Sequence, residues 1–566
     1  MNTENNSPAK NIADRQKKSN TKKSLLASGL SLSFFTLCSR ILGLVREMTK
    51  ASFLGTSKFA DAFGIAFMIP NLLRRLFAEN SISVAFIPTF RGYLEDSATS
   101  GKDSDEFKKT KEFLNSTITL ISFCTTVVVI LGIAFSPLII PLFLDESDSV
   151  LTAEAVLLTR IMFPYLFVIS LAAFFQGILN GVKIFSPSGF TPVLFNSIVI
   201  ACTYIFTPLL TKNVADAELR AQMAARAMSF GVLIGGCVQA IFQLPFVIKT
   251  GWFCHFTSLK KAFKNPGTKK VIALVGPTVI GMAAYQLNDV ISTALAGKAG
   301  TGIVSSLQYS LRLQELILGI FAVSIGTVIL PDLSGLAKTQ KWENFNRLLS
   351  QAIKIIALIS IPVTFYSLVC GKEIISLVYK SKNFNDESVQ LTLTAFRFHI
   401  AGLFFIAMNR VVAPAFYAQG NTKSPTLAGI LGLAINMIFA LILIKPMSGG
   451  GIALALTLGS LANSILLFVF LKKNKQIDVK AVVGGTILYS IKMAVLSVIA
   501  AVLATLVKNA TSAFFAGRGR LVEFGGTVVL TAIVFAFAGI LLLLITKDPV
   551  LASAKNMVLK KSKKIT

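Results

Sequence analysis

Five arginines interrupt hydrophobic segments that are otherwise long enough to cross a membrane. The arginines are Arg40, Arg46, Arg74, Arg75 and Arg312, and the acidic residues that accompany them are Glu47, Asp61, Glu79 and Glu315. An arginine in the middle of a spanning helix costs about 2.5–3.5 kcal/mol on insertion scales, so such residues normally face a wet cavity and mark a pathway. All five cations are arginines, whose planar guanidinium suits phosphate and carboxylate and stays charged when buried. The pattern predicts a cavity that handles anions.

The alternative is that these charges pair with one another and only stabilise the fold. Arg75 and Glu79 are four residues apart and could share one helix face. Arg312 and Glu315 are three apart and could do the same. Five positive charges stand against four negative ones, so net charge alone does not demand an anionic ligand. The choice of arginine at every position favours the anion-handling cavity over structural pairing.

Helix breakers lie beside these charges. Gly43 stands between Arg40 and Arg46, and Pro70 precedes Arg74 by four residues. A proline inside a helix removes a backbone hydrogen bond and kinks the helix. The sequence leaves open whether the kink is static or a hinge.

A weaker polar signal lies in the second half of the chain. Asp289 interrupts an apolar segment, and Asn436 in a later segment is a candidate partner. The pair could bind a cation or a proton, or Asp289 could be a carboxylate bonded within the fold. No nucleotide-binding or hydrolase motif accompanies them, so we expect a transporter and not an enzyme. We expect no cofactor, and a driving force that comes from an ion gradient or the membrane potential.

Helices must position these residues. Of 566 residues, 54% are hydrophobic and 14% are charged, whereas a soluble protein has about 25% charged residues. Long apolar runs such as 119–135 and 528–545 have the length and pattern of spanning helices. We predict an all-α polytopic membrane protein. Its fourteen predicted spans lie near 24–54, 59–90, 113–142, 151–182, 188–209, 225–249, 271–296, 303–335, 345–371, 389–419, 424–445, 450–471, 482–507 and 522–546.

The net charge of +28 is better explained by membrane orientation than by nucleic acid. Six lysines lie in the loop after span six, and the loop after span three has no Lys or Arg. Cationic loops stay on the cytoplasmic side, so both termini are expected in the cytoplasm. Residues 1–23 are predicted to be a disordered basic tail.

Short features recur at an offset of roughly 240 residues. Arg160 corresponds to Arg397, and Asn196 corresponds to Asn436. The offset contains six spans, so the two copies should share one orientation and be related by an axis along the membrane normal. We therefore predict two pseudo-symmetric six-helix lobes, 24–250 and 251–472, followed by two extra helices and a basic tail within 473–566.

Several motifs resemble the signature of the MurJ (MviN-type) lipid II flippases. In the first half they are residues 39–47 (SRILGLVRE), 61–79 (DAFGIAFMIPNLLRRLFAE) and 85–88 (AFIP); in the second half they are 309–315 (YSLRLQE), 326–331 (GTVILP) and 413–417 (APAFY). This family belongs to the multidrug/oligosaccharidyl-lipid/polysaccharide exporter superfamily. The resemblance implies fourteen helices, two lobes and a groove formed with the last two helices.

The resemblance also implies a function and a site. The substrate would be lipid II, an undecaprenyl-diphosphate-linked disaccharide-pentapeptide, moved to the outer leaflet of the bacterial cytoplasmic membrane by alternating access. The positions that match the family's cavity cations are Arg40, Arg46, Arg74 and Arg312, with Arg75 adjacent. The positions that match its acidic residues are Glu47, Asp61 and Glu79. At the position of Glu47, relatives commonly have Asp. Some members bind Na+ in the second lobe, where Asp289 and Asn436 match loosely. Other cell-wall synthesis proteins would be the partners.

Two other functions fit the same class of fold less well. A cation-coupled multidrug exporter, or an exporter of another polyprenyl-linked oligosaccharide, shares the architecture; a multidrug cavity would favour acidic or aromatic residues over arginines. A membrane scaffold for cell-wall enzymes gives no reason for intramembrane arginines. The anion-handling flippase is therefore the interpretation that the residues favour.

Overall fold

The computed structural model describes residues 32–79, 82–100, 104–144 and 148–551. Every regular element within these ranges is a helix, as expected for a polytopic α-helical protein. The predicted basic tail at 1–23 lies outside the described residues, and so does the end of the chain after 551.

The helices follow one another with short connections. The first group is α1 (32–54), α2 (Lys58–Leu73), α3 (Ile87–Ser100), α4 (Asp105–Ile139), α5 (Ser149–Met162), α6 (Tyr165–Gly181), α7 (Ser186–Leu210), α8 (Ala217–Lys249) and the short α9 (Leu259–Lys264). The second group is α10 (Pro266–Lys298), α11 (Ile303–Lys338), α12 (Trp342–Tyr379), α13 (Asp386–Ala401), α14 (Leu403–Tyr417), α15 (Lys423–Leu471), α16 (Val479–Phe515) and α17 (Thr527–Ile545). Wider π-helical turns occupy Arg74–Glu79, Ile82–Phe86 and Leu521–Gly526, and a 3-10 turn occupies Ile140–Phe143.

The described parts of the predicted spans fall on these helices and turns, while 24–31 and 80–81 lie outside the described residues. Among the described residues, nine helical segments are long and apolar enough to cross a membrane. One of them, α15, holds two predicted spans, because its backbone leaves the helical region at Ser448 (φ 49°, ψ −130°). Predicted spans one, two, seven and eight lie on α1, α2–α3, α10 and α11. The helix pattern thus agrees with a count of about fourteen.

The internal repeat is visible in how two helices are broken. The spans predicted at 151–182 and 389–419 are each divided into two helices, α5–α6 and α13–α14. The loop after each pair contains one residue in the left-handed region, Lys183 (φ 65°) and Gly420 (φ 71°). These two positions are separated by the same offset that relates Arg160 to Arg397, which supports a duplication.

The chain forms two compact units. The first comprises residues up to Thr49, Ala66–Ile140 and Thr152–Ala283; the second comprises Lys50–Ile65, Pro141–Leu151 and residues from Ala284 onward. Packing thus places the end of α1 and the start of α2 in the second unit. The lobe boundaries predicted from the repeat stay a prediction, since units defined by packing do not have to follow a sequence repeat.

Aromatic rings fill the interior of the first unit. Phe86 lies 5.5 Å from Phe90, 5.7 Å from Phe113 and 5.0 Å from Phe174, measured between ring centroids. Gly177 has no side chain, and a Cβ there would lie 2.8 Å from the Phe86 ring. This close approach seats α6 against the π-helical turn Ile82–Phe86.

Small residues hold the last two helices in the second unit. Ala500, Ala501 and Ala504 of α16 pack with Phe535 and Ala538 of α17 in one buried cluster. Small side chains allow helix backbones to approach closely in a membrane, where packing replaces the hydrophobic effect between helices. The two extra C-terminal helices are therefore packed together and onto α12.

Candidate functional site

The Arg46 guanidinium on α1 is held by two polar side chains. Its Nη2 donates to Oε1 of Glu47 over 2.9 Å, and its Nη1 donates to Oδ1 of Asn196 over 3.2 Å. The Arg46 and Glu47 side chains are 21% and 15% exposed. Glu47 therefore pairs directly with Arg46, and the partly buried pair keeps a fixed orientation.

Asn196 on α7 is the residue that sequence reasoning missed as a site component. Its Nδ2 donates to the backbone carbonyl oxygens of Ser39 (3.2 Å) and Pro192 (3.0 Å). These bonds fix the amide, so that Oδ1 points at Arg46. Asn196 entered the sequence analysis only as a repeat marker, although a polar amide in an apolar span was already a signal that it has a partner.

The other arginines predicted at the site on α1 and after α2 differ in their contacts. Arg40 is half-buried, and within the described part of the chain it makes no hydrogen bond or ion pair. Arg74 donates from Nε to Oδ1 of Asn71 over 3.0 Å, and Arg75 beside it is half-buried. The side chain of Glu79 lies outside the described residues, so the Arg75–Glu79 pair stays a prediction.

The arginine pair stands where α2 changes its winding. The helix ends at Leu73, three residues after Pro70, and Arg74 begins a π-helical turn. Proline removes one backbone hydrogen bond, and π-helical turns are frequent at functional sites. Arg74 and Arg75 therefore lie on a wider turn than a regular helix would give them. The kink at Pro70 stays a prediction.

Arg312 on α11 forms the predicted pair with Glu315. The distance between Nη1 and Oε2 is 3.4 Å, and the side chains are 26% and 59% exposed. The Nε of Arg312 is buried and has no hydrogen-bond partner among the described residues. A buried donor without a partner costs about 1–3 kcal/mol, so an anionic ligand that accepts this bond would be favoured.

Asp61, which is predicted at the substrate site, caps a helix, and its role toward a substrate stays a prediction. Its Oδ2 accepts from the backbone N–H of Gly302 (2.5 Å) and its Oδ1 from that of Ser305 (2.8 Å). The carboxylate is buried and satisfies two backbone donors that the first turn of α11 leaves open. The structure thus gives Asp61 a part in the fold that residue spacing did not indicate.

Lys50 is a further buried cation that the sequence analysis overlooked. Its Nζ donates to Oε1 of Gln308 over 2.7 Å and lies 5.0 Å from the centre of the Tyr309 ring. Lys50 thus adds a lysine to the five arginines that were singled out within the predicted spans. The signal was present, because Lys50 follows Arg46 by four residues and shares its helix face.

An ion pair that the sequence analysis also overlooked has its hydrogen-bonding positions filled. Arg226 of α8 donates from Nε and Nη2 to both oxygens of Glu154 on α5, over 2.7 and 2.6 Å. Gln222 donates to the same carboxylate over 2.7 Å. Because this forked pair fills the acceptor and donor positions that a ligand would need, it fixes α5 to α8 and is structural.

The two residues of the predicted cation site lie in different environments. Asn436 is buried, and its Nδ2 donates to Oδ1 of Asn288 over 2.7 Å. Asp289, the next residue, is exposed. Among the described residues no three His, Cys, Asp or Glu side chains form a metal-binding group. Asn436 is thus paired with the neighbour of Asp289, and a cation site at these residues stays a prediction.

Comparisons with known proteins match nearly the whole chain. The family model described as "Lipid II flippase MurJ" matches residues 50–519. A probable lipid II flippase MurJ of Treponema pallidum (strain Nichols) is 46% identical over 528 residues, which cover 93% of this chain and 97% of the relative.

Solved structures agree on the fold. A structure of lipid II flippase MurJ in an inward closed conformation matches with a TM-score of 0.72 and 25% identity, over 91% of this chain and 99% of that one. An inward-facing MATE family multidrug resistance transporter of the MOP superfamily matches with a TM-score of 0.60 and 15% identity, over 78% and 95% of the two chains. The second likeness shows a shared fold alone.

Proposed function

Because this chain belongs to the MurJ family of lipid II flippases, we propose that it moves lipid II from the inner to the outer leaflet of the bacterial cytoplasmic membrane. The observation that carries the proposal is the match to this family over 93% of the chain. The activity is transport, and the protein is not an enzyme. Its product would supply peptidoglycan biosynthesis and so the growth and shape of the cell wall.

The protein is a multi-pass membrane protein, with nine apolar spanning segments among the described helices. Its placement in the cytoplasmic membrane follows from a substrate that is made there. We place the lysine-rich loop between α8 and α10 in the cytoplasm. An even number of predicted spans separates this loop from each terminus, so we place both termini in the cytoplasm as well.

The arginines are proposed to bind the anionic part of lipid II. Arg46 offers a partly buried fork whose orientation is fixed by Glu47 and Asn196. Arg312 offers a buried Nε for which the described part of the chain provides no acceptor. Arginine forks form paired, charge-assisted hydrogen bonds with phosphate, so a diphosphate suits these side chains. Arg40, Arg74 and Arg75 would hold the remaining oxygens or the peptide carboxylates.

The polyprenyl chain needs an apolar path. We propose that it stays in the lipid along α16 and α17, where large apolar side chains such as Leu488, Phe537 and Leu544 are exposed. An apolar chain that remains in lipid adds no desolvation cost to the transfer of its head group.

A multidrug exporter remains the alternative with the same fold. Such a transporter would need free carboxylates for a cationic drug, and the buried carboxylates of Asp61 and Glu154 are already hydrogen-bonded. The arginines favour an anionic substrate. The driving force would be Na+ or the membrane potential, and Asn436 with Asp289 is the proposed position for the ion.

The test is complementation of a strain depleted of its own lipid II flippase. Lipid II exposed on the outer leaflet and membrane abundance would be measured together. Arg312→Ala should abolish export at normal abundance, because removing a charge from a span makes insertion easier. Arg312→Lys should restore it only partly, since it keeps the charge and loses the fork.

Arg347→Ala is the matched control, because Arg347 also pairs with a nearby glutamate on one helix but is well exposed. This variant should export normally. Normal export by Arg312→Ala would overturn the proposed role of Arg312. Low abundance together with low export would indicate that Arg312 only stabilises the fold.

A further inference from the structure

The connection between α8 and α10 is docked onto α4. We call residues 251–268 the linker segment. The backbone N–H of His255 donates to Oδ1 of Asn115 over 2.7 Å, and that of Thr257 donates to Oγ1 of Thr119 over 3.0 Å. Both acceptors belong to α4, so the path of the linker segment is fixed by side chains of a spanning helix.

Packing defines an inner face of the linker segment. Trp252 lies 4.9 Å from the Phe107 ring and 6.0 Å from the Phe90 ring, measured between centroids. Cys254 and Ala262 are buried. Most of the residues between them are exposed and form an outer face.

The outer face combines aromatic and basic residues. Phe253, Phe256, Leu259 and Phe263 are exposed, with Phe256 at 69%. Lys260, Lys261 and Lys264 are exposed among them. From 219 to 288 the sequence contains no Asp or Glu, so no acidic residue close in sequence neutralises the charge of this face.

The position of the anchors gives the depth of this face. Residues 105–115 of α4 are mostly polar or charged, and the long apolar run begins at about residue 119. Asn115 and Thr119 therefore lie where the helix passes from the head groups into the hydrocarbon layer. The linker segment that they hold lies at the same level.

Membrane orientation explains the lysines of the outer face but not its phenylalanines. Lysines on cytoplasmic loops follow from the positive-inside rule, but that rule gives no reason for phenylalanines that point away from the protein. Segments that lie in the membrane interface bury aromatic and aliphatic side chains at the boundary of head groups and acyl chains, and their basic residues attract anionic lipids.

We propose that the linker segment is a binding surface for anionic phospholipids of the leaflet that it faces. The phenylalanines insert below the head groups, and Lys260, Lys261 and Lys264 bind lipid phosphates. This function is additional to lipid II transport. It depends on the proposed orientation only for the identity of the leaflet, which is the cytoplasmic one.

Insertion can be measured with a tryptophan reporter. The chain has two tryptophans, and both would be changed to Phe in full-length protein reconstituted into nanodiscs. Phe256→Trp is the reporter, and Gln476→Trp, an exposed position in the loop between α15 and α16, is the control. We expect brominated acyl chains to quench the reporter at 256, and aqueous iodide to quench the one at 476. Equal iodide quenching at both positions would overturn the proposal.

Lipid selectivity can be measured separately by titration with fluorescent phosphatidylglycerol and phosphatidylcholine. The variant Lys260→Gln/Lys261→Gln/Lys264→Gln should lose about fivefold in phosphatidylglycerol affinity per lysine removed. The control Lys472→Gln/Lys473→Gln/Lys475→Gln removes the same charge from an exposed loop and should bind like the parent. Equal loss in both variants, or none in the first, would overturn the proposal. Neither assay requires transport, so a negative result in either one would overturn the lipid-binding proposal without contradicting the flippase function.

Discussion

The carboxylate of Asp61 accepts a 2.8 Å hydrogen bond from the backbone N–H of Ser305, a residue 244 positions away. The N-cap position of α11 is Gly302, which has φ 82° and no side chain to cap the helix, so the carboxylate of Asp61 takes that place. A carboxylate at a helix N-terminus satisfies open donors and complements the positive end of the helix dipole. The start of α2 is thereby tied to the start of α11.

Removal of this cap should destabilise the second unit. We expect Asp61→Ala to cost more than the ~1 kcal/mol of a typical N-cap, because the buried Lys50 nearby also loses a compensating charge. Asp478→Ala, which removes an exposed cap of α16, is the control and should cost about 1 kcal/mol or less. Thermal unfolding in detergent would compare them, and equal shifts would contradict a special contribution from Asp61.

Asn196→Ala should impair export more than stability. The change removes the hydrogen bond that orients Arg46 and two hydrogen bonds to backbone carbonyls. A typical hydrogen bond contributes about 1 kcal/mol to the free energy of unfolding. Asn409→Ala removes a comparable amide that bonds to Ser460 and Ser464 and has no arginine partner. Lipid II export should fall only in the first variant. A similar loss in both would mean that Asn196 does not act through Arg46.

Acid should weaken the contact between Asp548, which follows α17, and Lys492 of α16. Burial raises the pKa of Asp548, but the hydrogen bond from Lys492 and those from the backbone of Leu551 and Val550 outweigh it, so the pKa lies below its ordinary value. The stabilisation is therefore complete above the ordinary aspartate pKa of about 4 and is lost as pH falls through the lower folded value. Thermal unfolding of the parent should show this loss, and Asp548→Asn should be less stable at pH 7 with a smaller loss in acid. A loss of the same size in both would contradict the assignment.

Opposite sidedness is expected for two loops. In a cysteine-free background, Asp148→Cys should react with a membrane-impermeant maleimide from outside, and Lys260→Cys only after permeabilisation. Lys260 is exposed, whereas the neighbouring Ala262 is buried and would not report. Labelling of both cysteines from one side would contradict the proposed orientation.

The left-handed residues of the two repeat loops should respond in opposite ways. Gly420 has φ 71°, and Gly420→Ala should destabilise by about 1 kcal/mol, since a Cβ disfavours this region. Lys183 has φ 65°, and Lys183→Gly should stabilise by up to about 1 kcal/mol. Unfolding measurements would decide, and a stabilising Gly420→Ala would argue against equivalent loops.

Much of this protein could be predicted from local sequence. Long apolar runs have no soluble alternative, because a helix in lipid must satisfy its own backbone; the predicted spans accordingly fall on helices. The pair between Arg312 and Glu315 was predictable for a similar reason, since residues three apart on a helix are neighbours whatever the rest of the chain does.

Tertiary structure decided which distant groups meet. Asp61 caps α11, Asn196 orients Arg46, and Lys50 reaches Gln308 over 2.7 Å. Helix periodicity gives the face on which a side chain lies but not the helix that packs against that face. A buried polar group takes whichever donor or acceptor the packing brings within about 3 Å, and that choice is made only when the helices assemble.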